Sequence, residues 1–271
     1  MMHTTKQFQQ VWLALVLGCA VTASHAEGVD VGKLSVFRNL VPADQVEQQA
    51  TAQYTDLKQQ AASQRALAPA SHPQTIRLRA IAQRMIPYAP RFNSRAAQWQ
   101  WEVNLIGSKQ LNAFCMPGGK IAVYTGLLET LKLTDDEVAV VMGHEIAHAL
   151  REHARERIGK SQATQLGVAL LNQNVGGGKY GQLFQAGGSL LNLKFSRGDE
   201  SEADTVGLEL AARAGYDPRA GITLWQKMMS QNAGAPPEWL STHPSGSSRI
   251  AEIRSHLPQV MPLYEQARAG K

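Results

Sequence analysis

Thirteen residues constrain this chain more than any others: Val138-Ala-Val-Val-Met-Gly-His144-Glu145-Ile-Ala-His148-Ala-Leu150, where one glutamate and two histidines interrupt a run of apolar and small side chains. A stretch of that composition reads as a helix buried on all sides. Its start is marked by Thr134-Asp-Asp-Glu137. Thr134 can accept from the backbone N–H three residues on, Glu137 can reach back, and Asp135 and Asp136 suit the positive helix end. The far end is expected near Gly159, with Arg151, Arg155, Arg157 and Lys160 around it.

On such a helix His144 and His148, four residues apart, share one face and can hold one metal ion between two imidazoles. Glu145, one step round, is placed to take a proton from water at that metal rather than to ligate it, the mechanical reading of H-E-x-x-H. Chance is a poor explanation, because with 8 histidines and 14 glutamates in 271 residues one full H-E-x-x-H motif anywhere is roughly a 1 % event. Burying these three side chains without partners would also cost several kcal/mol.

The chain has 271 residues, 44 % of them hydrophobic and 18 % charged, enough for one domain with a sizeable core. The net charge of +5 comes from scattered Lys and Arg. The one dense run, Arg151 to Arg157, is mixed with acid and reads as a solvated face, not as a nucleic-acid patch.

Val11 to Ala23 is an apolar segment too short to span a bilayer comfortably, and Ser24-His25-Ala26 suits signal-peptide cleavage before Glu27. Val16-Leu17-Gly18-Cys19 resembles a lipoprotein box, which would instead remove 1–18 and leave Cys19 lipidated. Either processing makes the protein exported, to the periplasm or to the periplasmic face of the outer membrane. Membrane association is expected only if Cys19 is lipidated. Cys115 is then alone, so no disulfide framework is expected and Cys115 reads as a buried packing residue.

The mature chain, 27–271, reads as one catalytic domain in which 27–72 is a helical, Gln- and Ala-rich arm, exposed or frayed. A firmer helix is expected from Gln74 to Tyr88, with Ile76, Leu78, Ile81, Met85 and Ile86 at mostly helical spacing and Pro87 and Pro90 closing it. Gln98 to Ile106 alternates as a strand with Trp99, Trp101, Val103 and Leu105 on one side. Leu111–Phe114 and Lys120–Tyr124 follow around a Met116-Pro-Gly-Gly turn, giving about three strands just before the metal helix. Gln165 to Phe195, broken by Gly176-Gly-Gly178 and Gly187-Gly188, reads as two short helices joined by a loop able to lie over the cleft, or equally as loose connecting helices. There are no internal repeats.

A catalytic zinc wants a third protein ligand. The Ser196-Arg-Gly-Asp-Glu200-Ser-Glu202-Ala-Asp204 stretch is helical in pattern, with Glu200 and Asp204 on one face and Glu202 roughly opposite. One of the first two can ligate while the other orients an imidazole. Spacing does not choose between them.

These stretches resemble the M48 zinc metallopeptidases, through Asn112 to Leu128, Gly143-His-Glu-Ile-Ala-His148, Phe195-Ser-Arg, Glu200-Ser-Glu-Ala-Asp204, and Ser241-Thr-His-Pro244 with Arg249-Ile250. The resemblance covers about Gln74 to His256. It implies an α+β, mostly helical gluzincin-type fold with a small, about three-stranded sheet at the active-site cleft. It implies one Zn2+ per chain held by His144, His148 and Glu200, with Asp204 behind them, Glu145 as the catalytic base and Glu202 not a ligand. The strand near Asn112 and Ala113 would pair with an extended substrate, and His243 and Arg249 are candidates for oxyanion support, with His243 also a possible fourth zinc ligand. The repeat domain and the membrane helices of some relatives are not seen in the sequence. Within the family the sequence resembles most the small exported bacterial members concerned with outer-membrane protein quality control, and that resemblance implies unfolded or misfolded envelope proteins as substrates and outer-membrane assembly machinery as a possible partner. A zinc-stabilised chaperone or assembly factor is the alternative, and Glu145 argues against it, since a structural zinc site needs no base. A zinc hydrolase acting on non-peptide bonds is the third reading.

Overall fold

The structure, a computed structural model, describes residues 27–171, 190–231, 238–243 and 248–270. Residues 1–26, read above as a signal peptide or lipoprotein signal, and the glycine-rich stretch 176–188, read as a loop over the cleft or as loose connecting helices, lie outside the described residues.

The helix α4, Asp135–Leu150, is the centre of the molecule, and every residue from Glu137 to Leu150 is buried. It starts where Thr134 and Glu137 exchange bonds: the Glu137 N–H donates to Thr134 Oγ1 at 3.3 Å and the Thr134 N–H to Glu137 Oε2 at 2.9 Å. It stops at Leu150, nine residues earlier than Gly159 suggested. Glu152 takes a left-handed φ of 58°, and a second helix, α5, runs from His153 to Leu171. Gly159 lies inside α5 because a Cβ there would collide with the Phe37 carbonyl.

The Arg151–Arg157 run is therefore not a solvated face. Arg151, Glu152 and His153 are 6 %, 6 % and 1 % exposed. Glu152 is paired with Arg38 and Arg155, and Arg151 and His153 are paired with Glu202. Buried charges persist only when paired, and apart from Arg155 these partners lie far along the chain, where local pattern does not reach.

The sheet has three strands: β1 Glu102–Ile106, β2 Ala113–Met116 and β3 Lys120–Tyr124. Their order is β1-β3-β2. β2 and β3 form the expected antiparallel hairpin, Ala113 facing Val123 and Met116 facing Lys120. Its turn needs glycine, since Gly118 and Gly119 have φ of 83° and 78° and a Cβ on Gly119 would meet the Trp101 ring at 2.7 Å. β1 runs parallel to β3. It is shorter than the alternation at 98–106 suggests, because Ser94–Gln98 is a 3-10 helix, and Val103 to Ile106 are buried on both faces.

Helix α1, Ala43–Ser63, lies on the β2–β3 side and buries Val46, Ala50, Tyr54 and Ala61. It is a packed element rather than a frayed arm, and Tyr54 donates its hydroxyl to the Ile121 carbonyl. Helix α2, Pro73–Met85, buries Leu78, Ile81 and Met85 against the core but leaves Ile76 55 % exposed. Pro87 and Pro90 fall in a following 3-10 helix, Ile86–Arg91. The short helix α3, Thr125–Leu131, joins β3 to α4.

Helix α6, Arg197–Arg213, is capped by Ser196 and Asp199 in the same reciprocal way as α4. It crosses α4 backbone to backbone at Gly143 and Gly207. A Cβ on Gly207 would stand 2.6 Å from the His144 nitrogen, and one on Gly143 2.6 Å from the Gly207 carbonyl. Helix α7, Ala220–Ser230, packs on α4 and on α9, Arg249–Ala269, which in turn covers α6, and the single turn α8, Glu238–Thr242, leads into the buried His243. Cys115 is free and buried, and burial pushes its thiol pKa well up, as suits a packing residue.

Candidate metal centre

The α4–α6 crossing sets the site. Helical spacing puts His144 and His148 on the face of α4 that meets α6, and Glu200 and Asp204 on the facing side of α6. One ligand atom each from His144, His148, Glu200 and His243 gather within 4.8 Å of one another, all four residues buried. His148 Nε2 lies 3.1 Å from His144 Nε2 and 3.4 Å from Glu200 Oε1. His243 Nδ1 lies 3.0 Å from Glu200 Oε1 and 3.2 Å from His144 Nε2.

The tautomers follow from the outer contacts. His144 Nδ1 meets Asp204 Oδ1 at 3.0 Å, and Asp204 is a carboxylate, so Nδ1 carries the proton and the Nε2 lone pair faces inward. Converging imidazole lone pairs around a buried carboxylate form a donor set that wants a cation, and three nitrogens with one oxygen suit tetrahedral zinc. The charges agree. Burial works to lower the His144 pKa, but the Asp204 and Glu200 carboxylates outweigh it and hold it up at about 9. Burial, aided by repulsion from the neighbouring histidines, pushes His148 well down against the pull of Glu200. For Glu200 burial opposes ionisation, yet the bonds to His144, His148 and His243 hold it far below the usual carboxylate range.

Arg249 stands behind the carboxylates, not in the cleft. Its Nη1 donates to Glu200 Oε2 at 2.6 Å, its Nη2 to Asp204 Oδ1 at 2.6 Å, and its Nε to Asp204 Oδ2. The guanidinium also stacks 4.2 Å from the Trp225 ring centroid. It fixes both acidic side chains at once. Glu202 points away from the centre, towards Arg151 and His153.

Glu145 is buried beside the donor set, its Oε2 3.7 Å from His243 Nε2, and Trp239 Nε1–H donates to its Oε1 at 2.6 Å. Trp239 was not foreseen from the sequence; nothing local ties it to a residue 94 positions away. A cleft opens from Glu145 and His148 along β2, with Asn112, Ala113 and Phe195 among its lining residues. β2 is one of the two edge strands of the sheet. The Ala113 N–H donates to Asn112 Oδ1 at 2.9 Å.

A buried H-E-x-x-H helix crossed by an E-x-x-x-D helix, with the glutamate between the histidines facing a cleft along a strand edge, defines a zinc metallopeptidase. Comparison with known sequences gives the family: residues 70–257 match Peptidase family M48, and the chain belongs to it. The chain is 40 % identical over 174 residues to the "Mitochondrial metalloendopeptidase OMA1" of Arabidopsis thaliana, covering 63 % of this chain and 35 % of that protein. It is 33 % identical over 259 residues to the protein of the same name in Schizosaccharomyces pombe, covering 94 % and 73 %. The "Beta-barrel assembly-enhancing protease" of Escherichia coli is 28 % identical over 186 residues, covering 60 % and 36 %. The chain thus spans about a third of two of these relatives and nearly three quarters of the other.

Proposed function

We propose that this chain is a zinc endopeptidase of the bacterial cell envelope that cuts unfolded or misassembled proteins, with His144, His148 and Glu200 as zinc ligands, Asp204 orienting His144, and Glu145 as base. The observation that carries the peptidase reading is Glu145: a buried carboxylate, held by Trp239, against a four-donor centre and open to a strand-edged cleft. When bound, zinc supplies Lewis-acid polarisation and acidifies water. Glu145 takes the proton of the attacking water and passes it to the leaving amine. Asn112 and Ala113 offer an edge to which an extended segment can add as a further strand, which favours unfolded substrates over folded ones.

His243 closes the donor set in the resting enzyme and leaves it when substrate enters, which keeps the protease quiet among folded neighbours. The envelope setting is supported by the apolar stretch Val11 to Ala23 with its small-residue cleavage site and by the bacterial relative. No helix among the described residues is long and apolar enough to cross a membrane. The test is digestion of a denatured outer-membrane protein by purified protein, before and after chelation and after zinc is restored, together with fractionation of cells producing the full chain. Cleavage that survives complete zinc removal, or protein found in the cytosol, defeats the corresponding half of the proposal.

A further inference from the structure

His144 has Asp204 behind it; His148 has no carboxylate. Its outer nitrogen, Nδ1, instead meets Nδ1 of His153 at 2.9 Å. The other nitrogen of His153, Nε2, lies 2.8 Å from Glu202 Oε2. Glu202 Oε1 in turn accepts from Arg151 Nε–H at 2.6 Å, and Arg151 spends its Nη2 on the carbonyls of Val31 and Gly32, both at 3.1 Å. Four side chains, from α4 and its C-cap, α5 and α6, and one backbone segment are thus joined in a line that ends on a metal ligand. We propose that His153 and Glu202 are positioning residues for zinc: a neutral imidazole, backed by a carboxylate, sets the tautomer and ring angle of His148.

The proton positions leave one solution. Ligation through Nε2 puts the His148 proton on Nδ1. That N–H donates, so His153 Nδ1 must be the acceptor, a bare lone pair. The His153 proton is then on Nε2, where it donates to the Glu202 carboxylate. Each bond fixes the next, and Arg151 holds the Glu202 carboxyl at the far end of the line.

The backbone is bent to make this possible. Glu152, immediately before His153, is one of three non-glycine residues with positive φ among the described residues. A left-handed residue costs roughly 1–2 kcal/mol, and such conformations persist where the surroundings demand them. Here the bend stops α4 and lets α5 start with its first side chain folded back onto His148. The ring of Phe195 stacks on His148 at 4.0 Å between centroids and limits its rotation from the other side.

This inference rests on zinc ligation by His148, and the experiment keeps the two apart. Zinc dissociation constants are measured by chelator competition for wild type, His148→Ala, His153→Gln, Glu202→Gln, the His153→Gln/Glu202→Gln double variant, and Glu156→Gln, which alters α5 only at an ion pair with Lys160. Apo-protein melting and the visible spectrum of the Co2+ form are recorded alongside. His153→Gln and Glu202→Gln should each weaken zinc binding about 10- to 100-fold and shift the Co2+ bands, and the double variant should be no weaker than the worse single one. Glu156→Gln should match wild type. If wild type binds zinc tightly and both single variants bind it equally tightly, or their effects simply add, the positioning pair is wrong. If His148→Ala binds as tightly as wild type, the ligand assignment itself fails. If His153→Gln does not fold, Glu202→Gln alone decides.

Discussion

Trp239 and Glu145, 94 residues apart, are joined by an indole N–H donated to a carboxylate oxygen at 2.6 Å, both side chains buried. The base is thus held by a residue on the same short helical turn that delivers His243, and the Trp239 and His243 rings stack at 5.0 Å. A hydrogen bond to a charged group is worth about 1.5–3 kcal/mol. Trp239→Phe is therefore expected to lower kcat about 10- to 100-fold with zinc content and KM near wild type. Steady-state kinetics with a fluorogenic peptide checks it; an unchanged kcat would mean that Glu145 needs no such anchor.

The α4–α6 crossing is tight enough to test directly. In Gly207→Ala the new methyl meets the His144 backbone, and overpacking of this kind costs about 1–3 kcal/mol. The expected result is a lower urea midpoint together with weaker zinc binding, because the two helices carry the ligands between them. Gly198→Ala, whose Cβ would meet only Ser196 Oγ at 3.8 Å, should change neither. Stability lost in Gly207→Ala without any loss of zinc affinity would separate the crossing from the site.

His243 lies between two carboxylates, 3.0 Å from Glu200 Oε1 and 3.7 Å from Glu145 Oε2. His243→Ala should raise basal cleavage of an unfolded substrate while zinc is retained. A lowered kcat with zinc in place would end the latency account and make His243 a supporter of the reaction.

Much of this was readable because it is local. The reciprocal caps at Thr134 and Ser196, the shared helix faces of His144 with His148 and of Glu200 with Asp204, and the Gly118-Gly119 hairpin each need only a few consecutive residues. What pattern alone could not reach depends on contacts made across the chain. Arg151 and His153 look like surface residues until Glu202, about 50 positions away, is folded against them. Gly159 looks like a helix end until Phe37 is seen pressing on it. Likewise β1 pairs parallel to β3, which no alternation can announce, and Glu202 gains a role that its place opposite Glu200 and Asp204 gave no reason to expect.

Buried Glu137 gives a pH test away from the metal. Burial would raise its pKa, but Lys227 Nζ at 2.6 Å, the Thr134 N–H and the Thr223 hydroxyl outweigh it, so the folded value is lowered. A carboxyl with a depressed folded pKa contributes stability above its unfolded pKa, about 4.3 for Glu, and loses it as pH falls through the folded value. The urea midpoint of zinc-free wild type should therefore exceed that of Lys227→Met at pH 7, and the gap should close as pH drops below that range. A gap that stays constant down to pH 3 would show that the ion pair is not its source.

Glu145 is the residue on which the mechanism turns. Glu145→Gln keeps the side-chain shape and an oxygen for Trp239 to donate to, and removes only the ability to carry a proton. Zinc content, measured by atomic absorption, and the melting temperature should match wild type, while the rate of cleavage of a denatured outer-membrane protein falls about 10²- to 10⁴-fold. Cleavage at the wild-type rate by a zinc-loaded Glu145→Gln protein would contradict the assignment of this residue as the base, and with it the mechanism.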